Sequence, residues 1–212
     1  MANYIQVGAF AKLIEKEALS PKNNFSTCYK KFKLSIRVKP MIKKIISGGL
    51  PGVESAALDA AIKINIPHEG WTYKHIEKLN NKFSEQYNVK QIANPSYFER
   101  LEKNIIDSDG TVTLTYGQLI RGSKATKDLA DKHNKPYLLL DLSECTHSHV
   151  VSSIRKWMDN HKIEKIFFTG SKPSASPNLH EEVIKIIEGV CQVEREYQKH
   201  LSFQEKDDPE KI

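Results

Sequence analysis

Between Ile45 and Ile62 an apolar pair, Ile45-Ile46, runs into Ser47-Gly48-Gly49-Leu50-Pro51-Gly52 and then directly into Val53-Glu54-Ser55-Ala56-Ala57-Leu58-Asp59-Ala60-Ala61-Ile62. A strand, a tight turn and a helix in that order leave backbone N–H groups and the positive end of a helix dipole facing the space above the strand. Such a place suits an anion such as a phosphate. Glycine at positions 48, 49 and 52 fits the demand, because positive φ and the close approach of a ligand to bare backbone both exclude a Cβ. The same Gly-Gly-x-x-Gly spacing also punctuates plain βα turns, so ligand binding and structural punctuation both stay open on the pattern alone.

Three further loops could share that edge, since ligands of parallel sheets bind beyond the carboxyl ends of the strands. Tyr116–Thr126 places Gly122 and Ser123 at an expected helix start, where Ser123 can cap and N–H groups can hold an anion. Asp141–Thr146 is the second, and Thr169–Pro177, rich in Gly, Ser and Pro and carrying Lys172, is the third. With Arg121, Lys124 and Lys172 close by, the set suits a phosphorylated small molecule. Asp109, just before an expected strand, either lines the cleft or forms an Asx-turn. Cys145, His147 and His149 alternate as metal ligands can, but no second ligand pair matches them. His68, His75 and His180 have no carboxylate at a telling spacing. No Gly-x-Ser-x-Gly elbow, Walker lysine or His-Glu-x-x-His occurs, which argues against nucleophilic or metal-assisted catalysis.

Regular alternation supplies the scaffold. Apolar strands are expected at Lys44–Ser47, Thr111–Thr115, Pro136–Asp141 and Lys165–Thr169, with a weaker one near Ile64–Ile66. Helices are expected at Val53–Ile64, Pro95–Ile106, Ser123–His133, His147–His161 and Asn178–Gln198, with others at residues 3–19 and near Lys74–Phe83. Val53, Ala56, Ala57, Ala60, Ala61 and Ile64 recur at helical spacing, as do Val150, Ile154, Trp157 and Met158. Near-continuous apolar strands such as Tyr137-Leu138-Leu139-Leu140 belong in a sheet covered on both faces. Alternating strands and helices with short links imply right-handed crossovers and a mainly parallel sheet. The expected fold is α/β, a Rossmann-like three-layer sandwich over residues 42–198, with a basic extension at 1–41 and a charged tail at 199–212.

Composition is consistent with that plan. The 212 residues carry a net charge of +6, but residues 1–44 hold ten Lys/Arg against Glu15 and Glu17, so the rest is nearly balanced. Lys30-Lys31-Phe32-Lys33 could touch nucleic acid or an acidic partner, or form a solvated arm, and no nucleic-acid signature accompanies it. Cys28, Cys145 and Cys191 are too scattered for a disulfide framework. Neither a signal-peptide pattern nor an 18-residue apolar run is present, and the expectation is a cytoplasmic protein.

Ile45–Asp59, Ile66–Lys74, Tyr97–Asp109, Gly122–Thr126, His133–Leu142 and Gly170–Ser176 stand in the order and spacing of a known family. The most specific pieces are Ser47-Gly48-Gly49-x-x-Gly52-Val53-x-x-Ala56-Ala57-Leu58-Asp59, Ile66-Pro67-His68-x-Gly70-Trp71 and Asn104-x-x-Asp107-Ser108-Asp109-Gly110-Thr111. On these residues the chain resembles the family named "putative molybdenum carrier", a circularly permuted branch of the SLOG and lysine-decarboxylase-like Rossmann superfamily. The resemblance implies a non-catalytic homo-oligomer that binds the molybdenum cofactor, a phosphorylated pterin, or a nucleotide-like ligand. It implies that Gly48, Gly49 and Gly52 approach that ligand, with Lys74, Asp109, Gly122, Ser123, Lys124, Gly170 and Ser174 around the same cleft. Trp71 would offer a planar face or pack beneath the loop.

The departures fall on the anion contacts. Leu50-Pro51 stand where the family has Gln-Thr, Glu54-Ser55 where it has Asp-Arg, and His75 follows Lys74 where it has Gly-Arg. A hydroxyl, a backbone N–H and a bidentate cation are thereby lost. Two alternatives stay open. One is a phosphoribohydrolase acting on nucleoside monophosphates, with Glu54 as its acid. The other is an interaction module whose pocket is vestigial and whose basic arm binds.

Overall fold

The computed structural model describes residues 42–74, 85–93, 96–117 and 121–204, with the backbone alone for residue 121 and residues 192–204. The chain divides into two compact units, Met1–Lys39 and Pro40–Ile212, and every described residue belongs to the second. The helix expected over 3–19, nearly all of the one near 74–83, the whole basic extension at 1–41 and the last eight residues lie outside the described residues.

Among the described residues six strands and five helices follow one another. They are β1 (Lys44–Ile46), α1 (Val53–Lys63), β2 (His68–Tyr73), β3 (Val89–Ile92), α2 (Tyr97–Asp107), β4 (Gly110–Thr115), α3 (Arg121–Lys132), β5 (Tyr137–Asp141), α4 (His147–His161), β6 (Lys165–Gly170) and α5 (Leu179–Gln204). Local chemistry sets their ends. Ser96 caps α2 by accepting the Glu99 amide at 3.2 Å, and Thr146 caps α4 by accepting that of His149 at 3.4 Å. Helix α4 stops at Lys162, which turns left-handed at φ 55°, and Asn65 and Asn134 do the same after α1 and α3.

The strands form one parallel sheet in the order β3-β2-β1-β6-β4-β5. Counted from β4, that order reads 2-1-3-4-5-6, a doubly wound arrangement whose chain begins at its fourth strand. Helices α1, α4 and α5 pack on one face and α2 and α3 on the other. Successive residues of β1 feed opposite layers. Ile45 joins Ala57, Ile154, Phe168 and Ile187 in the larger core, and Ile46 joins Leu101, Ile105 and Phe167 in the smaller. Such two-sided burial is why β1 and β6 carry consecutive apolar residues, while β4, equally buried, alternates Val112 and Leu114 with threonines.

Several boundaries differ from the sequence expectation. Ile64 caps α1 and no strand forms at Ile64–Ile66. The neighbouring strand is β2, whose His-Glu-Gly-Trp-Thr-Tyr carries no apolar run because one of its faces is only half-buried. Strand β3 has Lys90 and Gln91 exposed and gives no apolar signal either. Helix α3 begins at Arg121, so Ser123 lies inside its first turn and is not its cap, and α5 continues to Gln204, past residue 198. Among the described residues no helix is long and apolar enough to cross a membrane.

Candidate functional site

In this order the switch point falls between β4 and β6, so the crevice opens beyond Thr115 and Gly170. Ser171 makes its floor. Its amide donates to the Leu114 carbonyl (2.9 Å), its hydroxyl accepts the Tyr116 amide (3.1 Å), and its carbonyl accepts the Val53 amide (3.2 Å). One residue thus ties together the loops after β4 and β6 and the start of α1. Gly117, next along, donates its amide to Asp141 Oδ1 at 3.0 Å.

Backbone conformation marks the same edge. The described glycines with positive φ are Gly49, Gly52, Gly117 and Gly170; the last ends β6, and the other three lie just beyond the carboxyl ends of β1 and β4. At Gly52, φ is 108° and a Cβ would overlap the Ser171 carbonyl, so glycine is required both by torsion and by space.

The turn after β1 already holds an anion of the chain's own. Glu54, in the first turn of α1, receives Arg100 Nη1 (2.8 Å) and the Leu50 amide (3.4 Å) on Oε2, and Arg100 Nη2 (3.2 Å) and Thr169 Oγ1 (3.0 Å) on Oε1. Two donors per oxygen use the acceptor capacity of a carboxylate. Arg100 comes from α2 on the opposite face, so the ion pair spans the sheet edge from one helical layer to the other, directly over Gly48. A Cβ at Gly48 would overlap the guanidinium. The Arg100 side chain is 1% exposed and lies 5.2 Å from the Tyr73 ring and 5.8 Å from that of Tyr97. Burial works against its charge, but the Glu54 carboxylate, with a smaller contribution from Tyr73, holds the guanidinium more firmly protonated than usual. The Tyr97 hydroxyl is pushed up by burial and by Glu54, with Arg100 opposing.

These bonds change what the turn can do. Leu50, Val53 and Ser55 all spend their amides within the chain, the last on the Leu50 carbonyl at 3.0 Å. The negative charge that the α1 terminus favours is supplied by Glu54. A saturated carboxylate paired with a buried arginine is poorly placed as a general acid, and Glu54 is a structural counterion here.

The other expected site residues separate into groups. Gly48, Gly49, Gly52 and Gly170 lie at the rim, and Lys74 is exposed in the turn that ends β2. Gly122 and Ser123 lie in the first turn of α3, where a Cβ on Gly122 would stand 3.0 Å from the Tyr97 hydroxyl. Ser174 is exposed in a short 3₁₀ turn, Pro173–Ala175. Lys124 lines a cavity of about 400 Å³ with Phe98, Ala125, Asp128, Leu129 and Lys132, between α2 and α3 and away from the glycine turn.

Asp109 is a correction. It sits at the amino edge of the sheet, where its carboxylate accepts the amides of Glu164 (3.0 Å) and Lys165 (2.7 Å) and so fixes the start of β6. A residue that precedes a parallel strand cannot line a cleft beyond that strand's other end. Trp71 does not face the cleft either. Its indole donates to Asp107 at 2.7 Å, and its backbone exchanges hydrogen bonds with Asn104 on α2. His180 does have a carboxylate partner, Asp59 at 2.9 Å, brought to it by the fold from 121 residues away in sequence.

Arg100 escaped the sequence reading, whereas Thr169 and Ser171 fell within the expected Thr169–Pro177 loop without being singled out. Arg100 and Asn104 share the buried face of α2 with Leu101 and Ile105. An arginine in phase with an apolar stripe is the signal that was there to find.

Comparison with known proteins agrees with this geometry. The description of the "Circularly permutated YpsA SLOG family" matches residues 45–191. A crystal structure named as that of a "Putative molybdenum carrier protein" from Syntrophus aciditrophicus SB is similar at 34% identity and a TM-score of 0.66, over 72% of this chain and 96% of that one. No curated protein matches. The strand order beginning at its fourth member, the glycine turn and the extent of the match together show that the chain belongs to the circularly permuted YpsA SLOG family.

Proposed function

We propose that the chain is a carrier or binding protein for a phosphorylated heterocycle, with the molybdenum cofactor as the first candidate cargo and a nucleotide-like compound as the second. The observation that carries this reading is the gathering of Gly49, Gly52, Gly117 and Gly170 around the switch point, with Lys172 exposed beside them. The likeness to a structure named as a molybdenum carrier supports the choice of cargo. Because Glu54 occupies the turn after β1, the cargo's anionic end belongs over the crevice between β4 and β6, within reach of Lys172 and the first turn of α3. Ser55 in place of an arginine fits this displacement, since its hydroxyl is spent on the Gly52 carbonyl at 3.2 Å and offers an incoming anion nothing.

Thermal unfolding of the full chain with molybdopterin and with a panel of nucleotides tests the reading. At 100 times its dissociation constant a ligand adds about 2.7 kcal/mol, a rise of roughly 5–10 °C for a domain of this size. Lys172→Glu is expected to remove most of that rise while leaving the unliganded midpoint in place. The Glu54–Arg100 pair favours a second reading, an interaction module whose turn no longer takes a ligand. A flat response to every compound selects that second reading and removes the first.

A further inference from the structure

Asp141, at the end of β5, uses one of its two oxygens. Its Oδ1 accepts the Gly117 amide (3.0 Å) and both the amide (2.9 Å) and the hydroxyl (2.7 Å) of Ser143. Oδ2 accepts from none of the described residues, although a carboxylate has room for about two donors on each oxygen. Burial opposes the charge, but the bonds from Ser143 and Gly117 outweigh it and keep the group ionised.

Tyr116 stands one residue before Gly117. Its own amide is fixed on the Ser171 hydroxyl at 3.1 Å and the next amide on Asp141, so its backbone is pinned twice, yet its ring is 37% exposed. Gly117, at φ 79°, leaves room alongside, since a Cβ there would meet nothing within 4 Å among the described residues. A flat ring on a fixed backbone loses little freedom when another ring stacks on it. Ser171, which anchors Tyr116, is followed directly by the exposed Lys172. An aromatic face, an unused carboxylate oxygen and a cation thus sit along one chain of bonded residues.

We propose that this corner reads the amino-oxo pyrimidine edge shared by guanine and pterin, with Tyr116 against the ring face and Asp141 Oδ2 accepting one of the edge's adjacent N–H groups. The proposal rests on the carrier reading above and names the class of ring in the cargo. Guanine and pterin present an amino group beside a ring N–H, two donors side by side. Adenine presents its amino group beside a ring nitrogen lone pair, which repels a carboxylate. An acceptor fixed in place by three bonds of its own rejects a ring that meets it with a lone pair. Stacking makes a different distinction: it tolerates any flat ring and separates ring-bearing phosphates from ringless ones.

Calorimetric titration of the full chain with GMP, AMP, ribose 5-phosphate and molybdopterin tests this. GMP is expected to bind at least about tenfold more tightly than AMP. Tyr116→Ala is expected to weaken GMP by about fivefold or more and to leave ribose 5-phosphate unchanged, with Tyr116→Phe behaving as the wild type. In Asp141→Asn the side-chain oxygen must stay toward Gly117 and Ser143, so the amide nitrogen takes the place of Oδ2 and offers the ring a donor. The preference for GMP is expected to vanish or reverse, with circular dichroism unchanged. Equal binding of GMP and AMP by the wild type overturns the proposal and leaves the carrier reading standing, and so does an Asp141→Asn chain that keeps the preference. Where molybdopterin alone binds, undiminished affinity in Asp141→Asn overturns it in the same way. Failure of every one of these compounds to bind removes both.

Discussion

Arg100 and Glu54 hold opposite charges at side-chain exposures of 1% and 7%. Removing one partner of such a pair strands the other, at a cost of about 3–5 kcal/mol, whereas replacing both with apolar groups of similar volume is often neutral or better. Glu54→Gln is therefore expected to lower the free energy of unfolding by about that amount, read from urea denaturation. The double change Glu54→Leu with Arg100→Met is expected to recover most of the loss. A double variant no more stable than the single one would show that the pair is not coupled. Gly48 belongs to the same unit, because the guanidinium passes through the space its side chain would need.

At the scale of elements, Asp141 links the end of β5 to the loop after β4. Burial alone would raise its pKa, but the hydroxyl and amide of Ser143 and the amide of Gly117 outweigh that and hold it below the usual carboxylate range. A depressed folded-state pKa means that the stabilisation is complete above the unfolded value, about 3.9, and is lost as pH falls through the folded one. Between pH 5 and pH 3 the wild type is expected to lose more stability than Asp141→Asn, by about 0.5 kcal/mol or less for a carboxylate still in contact with solvent. Parallel urea midpoints for the two proteins would refute this. The elements themselves were legible wherever burial imposed a period. Helix α4 falls on its expected residues, and β4, β5 and β6 fall within one residue of theirs. Strands β2 and β3 were not legible, because a half-covered strand next to an edge needs no apolar run. Within the site, the glycines were readable because turn and helix are consecutive. The bond from Glu54 to Arg100 was not, since the two are 46 residues apart and meet only across the sheet.

For the molecule as a whole, charge divides where the compact units divide. Met1–Lys39 carry eight Lys/Arg and two acidic residues, and Pro40–Ile212 carry 24 of each sign. Truncation to residues 40–212 is expected to leave a neutral chain that unfolds cooperatively within a few degrees of the full one, because the two compact units divide between Lys39 and Pro40. The same truncation is expected to abolish salt-sensitive retention on heparin. Loss of the cooperative transition would show that the first unit completes the fold.

The central strand pairs Lys44 with Lys165 and Ile46 with Phe167. On a ribosome, β1 emerges about 120 residues ahead of the neighbour that covers its second side. The middle of this sheet is therefore among the last parts to close, and loop-closure entropy over that separation slows its maturation. Until β6 appears, the nascent chain presents Ile45 and Ile46 on an unpaired border, and that interval is when a chaperone has most to protect.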